Sequence, residues 1–126
     1  MSQPACPFCH PPPERILLET ETTLAFLDGY PVTEGHTLLI PKRHVARLFD
    51  LSEEELRALW SLVGKVRGLL MEKYRPDGFN VGVNEGEAAG QIIGHAHIHV
   101  IPRRKGDVPD PKGGIRWVIP AKAKYW

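Results

Sequence analysis

The strongest periodic signal in the chain follows Ser52. Leu56, Leu59, Trp60, Val63, Val66, Leu70 and Tyr74 recur at helical spacing. Ser52 with Glu55 three residues on has the form of a capping box, in which each side chain satisfies the other's free backbone N–H. The stretch Arg75-Pro76-Asp77-Gly78 stops the pattern. Elsewhere the period is two, or the apolar run is short and continuous. Residues 15–19 and 23–28 read as strands split by a polar turn, and 36–42 as a buried strand ending near Pro41. Phe79, Val81 and Val83 alternate with Asn80, Gly82 and Asn84, which predicts a half-buried strand. Further on, Ala96, Ile98 and Val100 face one way and His95, His97 and His99 the other; residues 115–120 predict a last strand. Strands in runs around one helix, with hairpin-sized connections, predict an α+β fold: an antiparallel sheet of about five strands and one long helix.

Length and composition narrow the setting. A chain of 126 residues fits one domain spanning 1–126, with a Pro- and Cys-rich arm (1–14) and a C-terminal loop and tail (105–126). A net charge of +1 gives no strong field for a nucleic acid polymer or an anionic membrane. No apolar run reaches membrane-span length, and the N-terminus lacks a secretory pattern. Two cysteines are too few for a disulfide-stapled secreted domain, so the expectation is a cytoplasmic protein.

The histidines carry the chemistry. Alternate strand positions share a face, so the three imidazoles stand in a row with ~7 Å between successive Cα atoms. Set against a plain solvated face are two chemical readings. Three histidines hold a catalytic metal only if they converge, and consecutive positions on one twisted strand splay apart. Alternatively a neutral imidazole attacks an electrophile such as phosphorus, its second ring nitrogen donating to a carbonyl that fixes the tautomer. No Walker-type phosphate loop occurs, which disfavours a magnesium-dependent P-loop mechanism. The pair Cys6 and Cys9 in "CPFC" admits three readings: a zinc site completed by two further ligands, a redox pair, or free thiols.

The motif "HAHIHVI", with "AFLD", "GHTLLIPKRH", "VNEGEAAGQ" and "HVIPRR" in that order over about residues 24–104, resembles the histidine-triad (HIT) nucleotide hydrolases and transferases. The resemblance implies a nucleotide or dinucleoside polyphosphate substrate, with His97 attacking its α-phosphorus to form a nucleotidyl-histidine intermediate that water hydrolyses. It implies that His99 polarises the phosphate and that His36 assists nucleophile and leaving group. Asn84 and Gln91 would hydrogen-bond on the phosphate side and Asp28 would accept from the ribose hydroxyls. Phe8 and Phe26 are candidates for the base pocket or for the core. No catalytic divalent ion would be required.

Zinc-bearing relatives, including galactose-1-phosphate uridylyltransferases, pair a CxxC with two histidines. Those positions are His44 and His95 here, which implies one structural Zn(II) on Cys6, Cys9, His44 and His95; His10 competes for a ligand place. Phosphoramidase-type relatives carry a serine soon after the glutamine where this chain has Ile92, and "GEAAGQ" is more similar to the dinucleoside-polyphosphate branch. The family pairs as two-fold dimers that continue the sheet, so the resemblance implies a homodimer with Trp117, Tyr125 and Trp126 near the partner. A regulatory protein that keeps the nucleotide site without turnover is the alternative from another class.

Overall fold

The capping box forms as its spacing predicts. In the computed structural model of the chain, which describes residues 5–126, Ser52 Oγ accepts from the Glu55 amide at 3.1 Å and the Glu55 carboxylate accepts from the Ser52 amide at 2.9 Å. They open α1 (Glu53–Tyr74), whose buried positions are Leu59, Leu62, Val66 and Leu70. Trp60 corrects the periodicity reading, since it is 43% exposed. One residue advances a helix by about 100°, so Trp60 lies on the flank of the face that Leu59 centres. Leu62 takes the expected place.

Five strands, β1 (Ile16–Glu19), β2 (Thr23–Leu27), β3 (Thr37–Pro41), β4 (Gly78–Gly82) and β5 (Ile98–Arg103), form one antiparallel sheet in the order β1-β2-β3-β5-β4. Alternation then divides the sheet into two apolar faces. Ala25, Leu39, Ala96, Ile98 and Val100 join the helix residues in one core. Leu24, Phe26, Leu38 and Ile40 face the other way, beneath Phe8 and Ile16. Truncating a core leucine such as Leu59 to alanine would cost ~2–5 kcal/mol.

Register matters most on the second face. Ile16 lies opposite Phe26, Phe26 opposite Leu38, and Leu38 opposite His99, so a single row crosses the sheet from an aliphatic edge to a triad histidine. The hydrogen-bonded ladder of β5 starts only at Ile98, leaving His95 and His97 on its lead-in, tied by the Ala96 amide to the Val45 carbonyl at 2.7 Å.

The expected strand at 115–120 is instead a 3₁₀ turn, Gly114–Val118, followed by another, Pro120–Lys122. Gly113 (φ 88°) and Gly114 (φ 43°) bend the chain through the left-handed region. Arg116 then donates to the Ala123 and Lys122 carbonyls, and Trp117 Nε1 to the Lys112 carbonyl. Local bonds have replaced a ladder. The sheet edges among the described residues are therefore β1 and β4. Residues 1–4 of the arm lie outside the described residues. No helix of the described residues is long and apolar enough to cross a membrane.

Candidate active site

A neutral imidazole has one N–H and one lone pair, so a backbone group on one nitrogen decides what the other offers. Proton positions follow from the hydrogen-bond network in this way. His97 Nδ1 lies 2.8 Å from the His95 carbonyl, and a carbonyl only accepts, so Nδ1 carries the proton. His97 Nε2 is left as a bare lone pair. The Val32 amide donates to His36 Nδ1 at 3.1 Å, which places the proton of His36 on Nε2. That nitrogen stands 2.9 Å from His99 Nδ1 and donates to it. His99 is thereby fixed with its proton on Nε2.

Burial favours the neutral form of His36 and His99. It is the main cause that lowers the pKa of His99 to about 4, with the neighbouring His97 and His36 adding to it. Burial also lowers His36, opposed by Asp28, whose Oδ2 is 3.5 Å from His36 Nε2. Asp28 Oδ1 accepts from the Tyr30 amide at 2.9 Å.

His97 and His99, with ring centroids 5.0 Å apart, line a cavity of about 450 Å³. Its apolar wall is the row already described, Phe26 and Leu38, closed by Phe8 from the arm; Asp28 and Asn84 also line it. Phe8 packs edge-on against Phe26 (5.5 Å) and His97 (5.0 Å). Phe8 and Phe26 are thus core and cavity wall together. Gln91 is not among the lining residues. Its oxygen accepts from the Gly86 amide (2.8 Å) and its nitrogen donates to the Ala46 and Ile93 carbonyls (2.7 and 3.0 Å), which fastens the loop after Asn84.

Sequence reasoning did not single out Arg15 or Tyr30, which also line the cavity. Neither belongs to a recognisable motif; only their register beside Phe26 and Asp28 brings them in. Backbone groups that set tautomers, such as Val32 N–H and the His95 carbonyl, leave no trace in a sequence.

Cys6, Cys9, His44 and His95 meet beside Phe8, whose ring centroid lies 6.3 Å from that of His95. Their ligand atoms all lie within 4.8 Å of one another. Cys9 Sγ is 3.2 Å from His44 Nδ1, and both sulfurs are 3.5 Å from His95 Nδ1. A tetrahedral zinc with bonds of ~2.3 Å to sulfur and ~2.0–2.1 Å to nitrogen has sulfur–nitrogen edges of ~3.6 Å. His95, fully buried, has Nε2 at 2.8 Å from the Pro41 carbonyl; that nitrogen donates, so the Nδ1 lone pair faces the sulfurs. Burial, and then the adjoining Cys9 sulfur, raise the pKa of the Cys6 thiol, so a divalent cation is what would stabilise both thiolates. The donor set fits a metal ion. His10 is exposed and outside the group.

Asp28, His36 and His99 are also close enough to hold an ion. There, however, the facing nitrogens of His36 and His99 already share one proton, and the three triad rings do not converge on one point. The second cluster is a hydrogen-bond relay.

A HIT domain model matches residues 11–106. The chain is 41% identical over 96 residues to Protein hit of Bacillus subtilis, covering 75% of this chain and 66% of that protein. It is 39% identical over 92 residues to the bis(5'-adenosyl)-triphosphatase of Dictyostelium discoideum, covering 73% and 62%. A match of 38% over 93 residues to the asymmetrical bis(5'-nucleosyl)-tetraphosphatase of Schizosaccharomyces pombe covers 74% and 51%. The chain thus spans between half and two thirds of the length of these curated relatives. The crystal structure of a HIT family member from Bacillus subtilis superposes with a TM-score of 0.76 at 36% identity, covering 82% of this chain and 76% of that one. The motifs, the fold and the matches agree, and the Cys6/Cys9/His44/His95 cluster is consistent with the zinc-binding branch: the chain belongs to the HIT domain family.

Proposed function

We propose that the chain hydrolyses nucleotide substrates, dinucleoside polyphosphates or nucleoside phosphoramidates, by attack of His97 at the α-phosphorus. One observation carries the reading. The His97 Nδ1 proton is held by the His95 carbonyl at 2.8 Å, so an unshared pair on Nε2 lines the cavity beside the Nε2–H of His99.

In the first step the Nε2 pair forms a bond to phosphorus. The bond from phosphorus to the leaving group breaks, and its electron pair departs with that group. Positive charge developing on the His97 ring is stabilised by the His95 carbonyl through Nδ1–H. His99 donates Nε2–H to a non-bridging oxygen, and Asp28 accepts from the ribose hydroxyls. In the second step water attacks phosphorus and releases a proton to solvent, and the phosphorus–nitrogen bond breaks to restore the Nε2 pair. Cys6, Cys9, His44 and His95 would hold a structural Zn(II), and so tie the arm, and with it Phe8, against the nucleophile.

Brief exposure to a diadenosine polyphosphate, acid-free quenching and mass spectrometry test the mechanism. A nucleotidyl adduct on His97, absent from His97→Ala, is the expected result. Tight nucleotide binding with neither adduct nor turnover would instead assign the chain to non-catalytic nucleotide binding.

A further inference from the structure

Arg15 closes the 3₁₀ turn Pro13–Arg15, its amide donating to the Pro12 carbonyl at 3.0 Å, one residue before β1 begins opposite Phe26. Antiparallel register carries the continuing β2 chain, Asp28 and then Gly29, past its side chain. A Cβ on Gly29 would lie 2.3 Å from Arg15 Nη1 and 3.2 Å from its Cζ. Gly29 is therefore what lets the guanidinium lie against the backbone at the cavity wall.

Half-buried there, Arg15 makes no side-chain hydrogen bond or ion pair among the described residues. Among the described residues, it and Asp28 are the two charged side chains that line the cavity, whose lining also includes Phe8, Phe26, Leu38 and Pro7. A guanidinium with its donors unmatched beside aromatic walls is set to meet an acceptor-rich planar ligand.

We propose that Arg15 reads the nucleobase and makes the chain prefer 6-oxopurine nucleotides, those of guanine and hypoxanthine, over adenine nucleotides. The assignment rests on the proposed placement of the α-phosphate at His97 and of the ribose at Asp28. Gly29 follows Asp28 directly, so the guanidinium covering it stands where the base extends from the ribose. Arginine offers parallel N–H donors in a fixed fork. Guanine and hypoxanthine present O6 and N7 as two adjacent acceptors, and adenine presents an N6 donor beside N7. Donor would face donor in the adenine case. The anionic acceptor nearby, Asp28, accepts from the Tyr30 amide, adjoins His36 and is assigned to the ribose hydroxyls, so it offers little to the adenine amino group.

Calorimetric titration of GMP, IMP and AMP into the wild-type protein and Arg15→Met decides the matter, with thermal melting to show that the variant is folded. GMP and IMP are expected to bind the wild type on the order of tenfold to a hundredfold more tightly than AMP. In Arg15→Met they should fall to the AMP level, with AMP itself little changed. Gly29→Ala keeps the charge but displaces the guanidinium, and should erase the preference in the same way. Equal binding of the three nucleotides by the wild type overturns the base assignment alone. So does an Arg15→Met variant that weakens GMP, AMP and inorganic phosphate alike, since the guanidinium would then act on phosphate. Failure of every nucleotide to bind overturns the underlying hydrolase reading as well.

Discussion

Loading the Cys6/Cys9/His44/His95 cluster with Zn(II) should change stability far more than chemistry. An ion that binds the folded chain alone stabilises it by about 2.7 kcal/mol at a hundred times its Kd and about 4.1 kcal/mol at a thousand times. For 126 residues the unfolding entropy is about 0.26 kcal/mol/K. The zinc-loaded protein should therefore melt roughly 10–16 °C above the chelated protein. Cys9→Ser should lose the same increment and bind no stoichiometric zinc. Calorimetry with and without a chelator, paired with metal analysis, measures both. Turnover should drop only in part, because the His97 tautomer is set by the backbone carbonyl of His95 and not by its ring; what loosens is Phe8, 5.0 Å from the nucleophile. Immediate loss of activity on chelation with an unmoved melting temperature would refute this reasoning and assign the metal to the reaction.

Replacing the proposed nucleophile, His97→Ala, should lower turnover at least ~10³-fold while melting and nucleotide binding persist; rescue of His97→Gly by imidazole checks the group, and comparable activity in the alanine variant would end the covalent mechanism. Stability should decline as pH falls from about 6.5 towards about 4. The folded pKa of His99 lies below its ordinary value through burial, so the unfolded chain binds the extra proton across that window and the stabilisation is complete only above it. His36 and His95, lowered by burial, act in the same direction, and His99→Gln should flatten the melting temperature against pH. We expect a two-fold dimer that covers the β4 edge, where Val81 is 39% exposed, and the tail aromatics Trp117, Tyr125 and Trp126; a monomer by light scattering at micromolar concentration would contradict it.

Much of this fold is legible in the sequence. The alternation of Ala96, Ile98 and Val100 against the histidines assigned the two faces of β5, and the Ser52–Glu55 spacing marked the helix start. Both signals are local: the alternation repeats over several residues, and the capping box closes within one turn. The 115–120 segment misled because Ile115, Val118 and Ile119 have strand propensity, which yields when two left-handed glycines turn the chain away from any partner strand. Gln91 has the right neighbours for phosphate, but its amide meets three backbone groups first. Arg15 was invisible for the opposite reason: its role depends on a glycine fourteen positions away.

The relay from Val32 through His36 to His99 also bears on which bonds the proposed reaction would cleave well. His99 Nδ1 accepts the hydrogen bond from His36 Nε2–H, so releasing the proton on His99 Nε2 would leave an imidazolate. In the proposed mechanism the ring would steady charge on phosphorus but would be no Brønsted acid towards what departs. Reactivity should then track the nucleofugality of the departing group: a nucleoside polyphosphate, stable as an anion, leaves unaided, whereas an amine must find its proton in bulk water. Across a series of graded phenolic esters the rate should fall steeply with rising basicity, and the same backbone amide that orients His36 would thus set the chain's preference among phosphorus–oxygen and phosphorus–nitrogen bonds.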